Sequence, residues 1–363
     1  MVIGQPLNAT SAPIASLPVI EQRAPRCEYW WSTGPPLRAG GLAERLVAQG
    51  WDGLLLSDSQ NLAPDTFVAL ATAAVATAGT GFGLGTGVTN PVTRHPAAAL
   101  GAIATVAAAS GGPTVLGVGR GDSAMHSLGR PPAPVAELAW FLERAAAYLR
   151  GEAVAGEGDP VSWIAAVPLP PVRLDVAATG PKVTALAGRV ADMVTFAVGA
   201  DVDRLRRGID VARQARADAG GDPDSLALGA YVNVAAHPDA AVARRVVQGR
   251  ASNFARFSAL PGAPRDDLTP ADRDALDALE ARYDFAGHGD SRSAHAEGLD
   301  DAFLQRFAVY GPPAHCVDRL AALLDAVPLG RLVVASGHRG VDASERDETA
   351  ACIAEEVLPH LPR

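Results

Sequence analysis

GFGLGTGVTNPVTRHPAAALGAIATVAAASGGPTVLGVGRGDSA, residues 81–124, contains one complete strand–helix–strand unit. A β-type run at 82–88 is closed by Thr89, Asn90 and Pro91. An apolar helical run at 97–110 follows, and Gly111, Gly112 and Pro113 stop it before a second short run at 114–118. The same rhythm extends in both directions. Short runs at 27–32, 53–57, 172–178, 193–197, 226–235 and 331–335 are each followed by a helical stretch, at 41–49, 65–78, 182–190, 202–219, 239–257 and 345–358. The run at 114–118 leads to a helix at 135–150. Eight strand–helix alternations in one direction predict a parallel sheet, and closing it as a (β/α)8 TIM barrel accounts for count and length together. A doubly wound open sheet is the alternative, but no composition break divides the eight units.

Composition narrows the classes. The chain has 363 residues, 31 Lys+Arg against 40 Asp+Glu and a net charge of −9; Lys182 is its single lysine. An acidic chain without a basic run predicts neither nucleic acid nor an anionic membrane surface as partner. Hydrophobic content of 48% with 5% aromatic fits a globular chain and not a disordered one. Cys27, Cys316 and Cys352 are odd in number and far apart, which predicts neither a disulfide framework nor a thiolate metal site, and suits a reducing cytoplasm. Residues 1–24 read as a loose tail without a secretion signal, and 25–363 as one barrel domain. The segments 151–171 and 259–300 break the rhythm and read as loop insertions at the C-terminal face, where they would cover a site.

Barrel chemistry belongs at the C-terminal ends of strands. Polar residues and glycines collect at four of them: Ser57-Asp58-Ser59-Gln60-Asn61, Thr86-Gly87-Val88-Thr89-Asn90, Gly119-Arg120-Gly121-Asp122-Ser123 and Thr179-Gly180-Pro181-Lys182. The glycines at 117, 119 and 121 have the wrong spacing for a dinucleotide fingerprint, and no acidic residue follows at the required distance. Gly81, Gly83, Gly85 and Gly87 form a packing pattern. At 179–182, proline suits a first helical turn whose free N–H groups favour an anion, with Lys182 beside it; an ordinary helix start is the plain alternative. Asp122 divides between capping a helix and bonding a polyol. His95, before Pro96, reads as a helix-start residue, and His288 and His295 as residues of a solvated loop. Trp30 and Trp31 must face opposite sides of their strand, one toward the barrel interior and one toward the helices.

The segments GTGVTNPVTRHPA (85–97), SGGPTVLGVGRGDSA (110–124) and ATGPKV (178–183), in this order, resemble the bacterial-luciferase-like oxidoreductases. Those are TIM barrels that use reduced FMN or the deazaflavin coenzyme F-420. GVTNPVTRHP is most similar to the deazaflavin branch that includes methylenetetrahydromethanopterin reductase. The resemblance implies a cis peptide at Gly87–Val88 behind the flavin ring, with Asp58 and Asn90 near the ring. It places Gly119, Gly121, Asp122 and Ser123 along the ring and ribityl side, and Thr179, Gly180, Pro181 and Lys182 at the phosphate. Sugar-phosphate dehydrogenases of this superfamily carry a histidine after the "SD" aspartate, where this chain has Ser59. Glu28 and Asp58 are the candidate proton donors, and a homodimer is implied by analogy.

These readings predict hydride transfer between reduced F-420 and a small organic substrate. An FMN-dependent monooxygenase using molecular oxygen is the alternative. A non-catalytic flavin-binding barrel, and a cofactor-free barrel acting on a phosphorylated metabolite through Thr179–Lys182, come from other classes.

Overall fold

In the computed structural model, which describes residues 26–154, 161–259, 268–337 and 339–363, eight parallel strands close into a barrel. They are β1 (Glu28–Thr33), β2 (Gly53–Leu56), β3 (Gly83–Thr86), β4 (Thr114–Val118), β5 (Val172–Ala178), β6 (Met193–Phe196), β7 (Ala227–Ala236) and β9 (Arg331–Ala335). Pairing runs β1 to β7 in order, then β7 to β9 and β9 back to β1. The tail expected at 1–24 lies outside the described residues, as does part of each expected insertion. Among the described residues no helix is long and apolar enough to cross a membrane.

All eight expected strands are present. A ninth, β8 (Ala308–Gly311), was not legible in four residues, AVYG, followed by a proline. It pairs with the far half of β7, Asn233 to Ala236, after β6 has finished with the near half, Ala227 to Phe196's partner Ala230. β7 is therefore the longest strand, and its second half rises past the rim of the barrel.

Glycine shapes one wall. A Cβ on Gly53 would stand 2.5 Å from the Trp30 ring, and one on Gly83 would overlap it. Trp30 points inward and fills the foot of the barrel, fully buried, with the Arg331 guanidinium 4.2 Å from its ring centroid. Trp31 faces the helices and meets Trp51 edge-on at 5.2 Å. The inward residue is thus core packing and not a wall of the mouth. His95 caps helix Pro96–Ser110 through its ring, accepting from the Ala97 N–H.

Candidate functional site

The mouth is built around a backbone bulge. β3 ends at Thr86, and the next peptide, Gly87–Val88, is cis, as the motif implies. Its neighbours bond it on both sides. Gly87 N–H donates to Leu56 O at 2.8 Å and Asp58 N–H to Val88 O at 3.2 Å, while Thr89 N–H donates to Gly117 O and Gly119 N–H to Thr89 O, both at 2.9 Å. Side chains on β4 would not fit this arrangement: a Cβ on Gly119 would stand 2.8 Å from Val88 Cγ2, and one on Gly117 would overlap Thr86 O. The alternating glycines are therefore a packing requirement.

Asp58 lies beside the bulge, 5% exposed. Its Oδ2 accepts from Thr89 Oγ1 at 2.7 Å and from Arg94 Nε at 3.0 Å, and Arg94 continues to Asp65. These bonds make Asp58 a brace between the end of β2, the bulge and the Arg94 loop. Asn90 is buried; its Oδ1 accepts from the N–H groups of Val92 and Thr93, which leaves its amide –NH2 to offer the cavity. The loops after β2 and β4 are tied by Gln60 to Ala124 O, Asn61 to Ser127 O and the Ser59–Ser123 hydroxyl pair.

Asp122 neither caps a helix nor stands free. Both of its oxygens accept from Arg256 Nη1, at 2.8 and 2.7 Å, so it latches the β4 loop to helix Ala240–Ala259. Gly121 next to it has φ +77°, a conformation that favours glycine.

Two chambers meet over the bulge. The larger, about 460 Å3, includes Asp58, Gly87, Val88, Asn90, Gly121, Asp122 and Ser123. The second, about 270 Å3, includes Gly119 and the whole run Thr179 to Lys182. Both touch Val88, Gly121, Asp122, Ala177, Ala197 and Phe257, so they form one cleft. At the second chamber, helix Pro181–Val190 starts from Gly180 without a side-chain cap. Proline has no N–H, so the groups at Lys182 and Val183 are the open donors of this terminus. Lys182 is exposed beside them.

One expected residue is elsewhere. Glu28 is the first residue of β1, in register with Arg331, the first of β9. It lies at the foot of the barrel, where its Oε2 accepts from Trp30 Nε1 at 3.0 Å and stands 3.5 Å from Arg331. Five residue steps of strand, roughly 17 Å, separate it from the end of β1. The expectation of a proton donor at the mouth fails because the strand runs outward from this residue.

Three walls of the larger chamber come from residues that motif reading missed. Tyr231 rises from β7, Arg250, Asn253, Phe254 and Phe257 come from helix Ala240–Ala259, and Arg339 follows β9. His288 and Gly289 close it from the second insertion, which therefore covers the mouth as expected. His288 is not solvated in a loose loop. The hydrogen bonds form a ring: Asn253 Nδ2 donates to His288 Nε2 at 3.2 Å, His288 Nδ1 donates to Tyr283 Oη at 2.7 Å, and Tyr283 Oη donates to Asn253 Oδ1 at 2.7 Å. Burial, with Arg256, Arg250 and Arg339 nearby, pushes the imidazole down to about 3, so it is neutral in this ring. His295 is buried as well, against the Tyr283 ring at 4.3 Å. Only a fold that brings helix and insertion together reveals these contacts.

Comparison with known proteins gives a consistent picture. The family model described as luciferase-like monooxygenase matches residues 29–328. A 5,10-methylenetetrahydromethanopterin reductase from Methanolobus tindarius is 28% identical over 80% of this chain and 88% of its own. Among solved structures, the coenzyme F-420-dependent tetrahydromethanopterin reductase from Methanopyrus kandleri superposes with a TM-score of 0.71 at 20% identity, covering 93% of this chain and 99% of its own. A type II Baeyer–Villiger monooxygenase component from Pseudomonas putida, solved with FMN, reaches 0.60 at 18% identity over 93% and 100%.

Proposed function

The chain belongs to the luciferase-like monooxygenase family and is an oxidoreductase of a flavin-type cofactor, and from that premise we propose that it transfers a hydride between reduced coenzyme F-420 and a small organic substrate. One observation carries this reading: a single cleft has a backbone shelf at Gly87–Val88 in one chamber and an uncapped helix N-terminus in the other. Those residues fit a flat ring joined by a chain to a phosphate. The sequence likeness to a methylenetetrahydromethanopterin reductase, with the fold likeness to a coenzyme F-420-dependent tetrahydromethanopterin reductase, favours the deazaflavin.

When bound, the deazaflavin supplies the hydride chemistry, and the protein supplies orientation and electrostatics. Val88 would support one face of the ring, and Gly119 and Gly121 would keep side chains out of its path. The N–H groups of Lys182 and Val183 and the Lys182 ammonium would hold the phosphate, while the Thr179 hydroxyl beside them donates to Ala197 O at 3.4 Å. Asp58 keeps the bulge in place through Thr89 and Arg94. Phe254, Phe257 and the ring around His288 exclude water from the chamber where the substrate would lie.

The test is an anaerobic titration of the purified chain with reduced and oxidised F-420, followed by fluorescence. Binding in the micromolar range, with a substrate-dependent spectral change, supports the reading. The family description favours one second reading, an FMN-dependent monooxygenase, for which tight FMN binding and oxygen consumed per turnover are the expected results. We also propose a homodimer. Helix Thr66–Ala76 exposes Val68 and Val75, seven residues apart on one face, and light scattering at twice the monomer mass is the expected outcome.

A further inference from the structure

Helix Ala240–Ala259 carries four arginines, and three of them are matched. Arg244 pairs with Asp301 at 2.7 Å, Arg245 with Glu345 at 2.5 Å and Arg256 with Asp122 at 2.7 Å. Arg250 has no ion pair and no hydrogen bond among the described residues, and its Nε is buried without a partner. It lines the larger chamber, with the bulge, and not the chamber of the open helix terminus. Burial pushes the guanidinium down to about 10, so it remains a cation at neutral pH.

A second unmatched group faces the same space. Tyr231 is 5% exposed and lines the chamber, and its hydroxyl has no partner among the described residues. A Cβ on Gly87 would stand 3.1 Å from that oxygen, which places the hydroxyl against the shelf. Asp175, Arg331 and Arg250 are all within electrostatic reach of it, the two cations opposing the one carboxylate. Arg339, on the other side, gives its guanidinium to the carbonyls of His288 and Ala286 and to no carboxylate. The carboxylates of the same chamber, Asp58 and Asp122, are already held by Arg94 and Arg256.

A half-buried guanidinium whose Nε is enclosed without a partner is costly, and an unsatisfied buried hydroxyl adds to the cost. Where such groups face a cavity beside a reactive site, a partner arriving from outside can satisfy them. We propose that Arg250 and Tyr231 receive an oxyanion, a carboxylate or phosphoryl group, of the substrate, so that the enzyme acts on small anionic molecules held by this group beside the shelf. The guanidinium fork offers two parallel N–H donors to such a group, and the hydroxyl a third. The cofactor phosphate and the substrate anion would then occupy opposite ends of the cleft. This inference rests on the proposed function for its word "substrate", but the binding itself does not need the cofactor.

The test uses the full chain without cofactor and three probes: benzoate, phenyl phosphate and the neutral benzamide, followed by isothermal titration calorimetry. The wild type should bind one of the two anions at least tenfold more tightly than benzamide, and which anion wins distinguishes carboxylate from phosphoryl recognition. Arg250→Met should reduce that preference to less than threefold, Arg250→Lys should retain part of it, and Tyr231→Phe should weaken the anion a few-fold. Arg245→Met, on the surface of the same helix, should leave the preference unchanged. Equal binding of benzamide, no measurable anion binding at millimolar concentration, or full preference in Arg250→Met overturns the proposal. F-420 titrated into the same Arg250→Met protein should bind as in the wild type. A loss there equal to the loss for benzoate assigns Arg250 to the cofactor instead, and also overturns it. Failure of F-420 to bind the wild type would overturn the cofactor reading alone and leave the anion result standing.

Discussion

Two arginines project into one barrel, and they differ in what they meet. At the foot, Arg331 is 1% exposed, covers the Trp30 ring and stands 3.5 Å from both Glu28 and Asp175. Burial raises the Asp175 carboxyl, and Arg331 and the Thr195 hydroxyl oppose that rise. At the mouth, Arg250 has cavity on one side and no ion pair among the described residues. The foot has its charges assembled from within the chain, whereas the mouth keeps one cation without a counterpart among the described residues. A buried pair is costly to break, and an unpaired buried charge is costly to keep. The foot is therefore arranged for stability, and the mouth gives up stability to hold a binding group.

The most severe way to break this comparison is to remove each arginine in turn. Arg331→Met strands Asp175 and should cost about 3–5 kcal/mol in urea unfolding, while Arg250→Met should cost under about 0.5 kcal/mol or stabilise the protein. Equal losses would show that Arg250 is structural too. Glycines give the next test. Gly119→Ala pushes a methyl against Val88 and should cost about 1–3 kcal/mol together with cofactor affinity. Gly53→Ala, pressed on the Trp30 ring, should cost stability and leave cofactor affinity per folded molecule unchanged.

Acidification should separate the two ends as well. His288 binds a proton less readily folded, at about 3, than unfolded, near the ordinary 6.5. Its contribution is thus fully present above pH 6.5 and is lost as pH falls below that value. Stability from pH 6.5 to 5 should drop by up to about 1.4 kcal/mol per unit, the limit for one proton. Stability curves for His288→Gln should be flatter over that window, and an unchanged slope would place the sensitivity elsewhere. The smallest effect concerns the single lysine. Lys182→Ala should weaken F-420 by about 0.3–1 kcal/mol, a two- to fivefold change, with Tm unchanged. Unaltered affinity would make Lys182 an ordinary surface residue.

The rim of the barrel is legible in the sequence where polar residues and glycines follow strand ends. Residues such as Gly87, Asn90, Gly119 and Thr179 interrupt an apolar period, and the interruption itself marks the rim. Helix-borne residues give no such signal. Arg250 is one of four arginines on its helix, and only the positions of Asp301, Glu345 and Asp122 show which one is left over. Glu28 misled because a charged residue in a strand says nothing about which end of the barrel it occupies until the direction and first residue of the strand are fixed. His288 and His295 looked solvated because their partners Asn253 and Tyr283 belong to other segments.

The glycines of β3 and β4 have an evolutionary consequence. The wall behind the bulge is main chain, with Gly85, Gly87, Gly117 and Gly119 leaving no side chain to exchange. Point mutation can only damage such a surface, because every replacement adds atoms where Leu55, Thr86 O, Val115 O or Val88 already lie. The facing wall at Arg250, Phe257 and His288 consists of side chains on one helix and one insertion, which can be exchanged without altering the strands. New substrate preferences in descendants of this chain would therefore arise on the helix side, against a surface inherited unchanged.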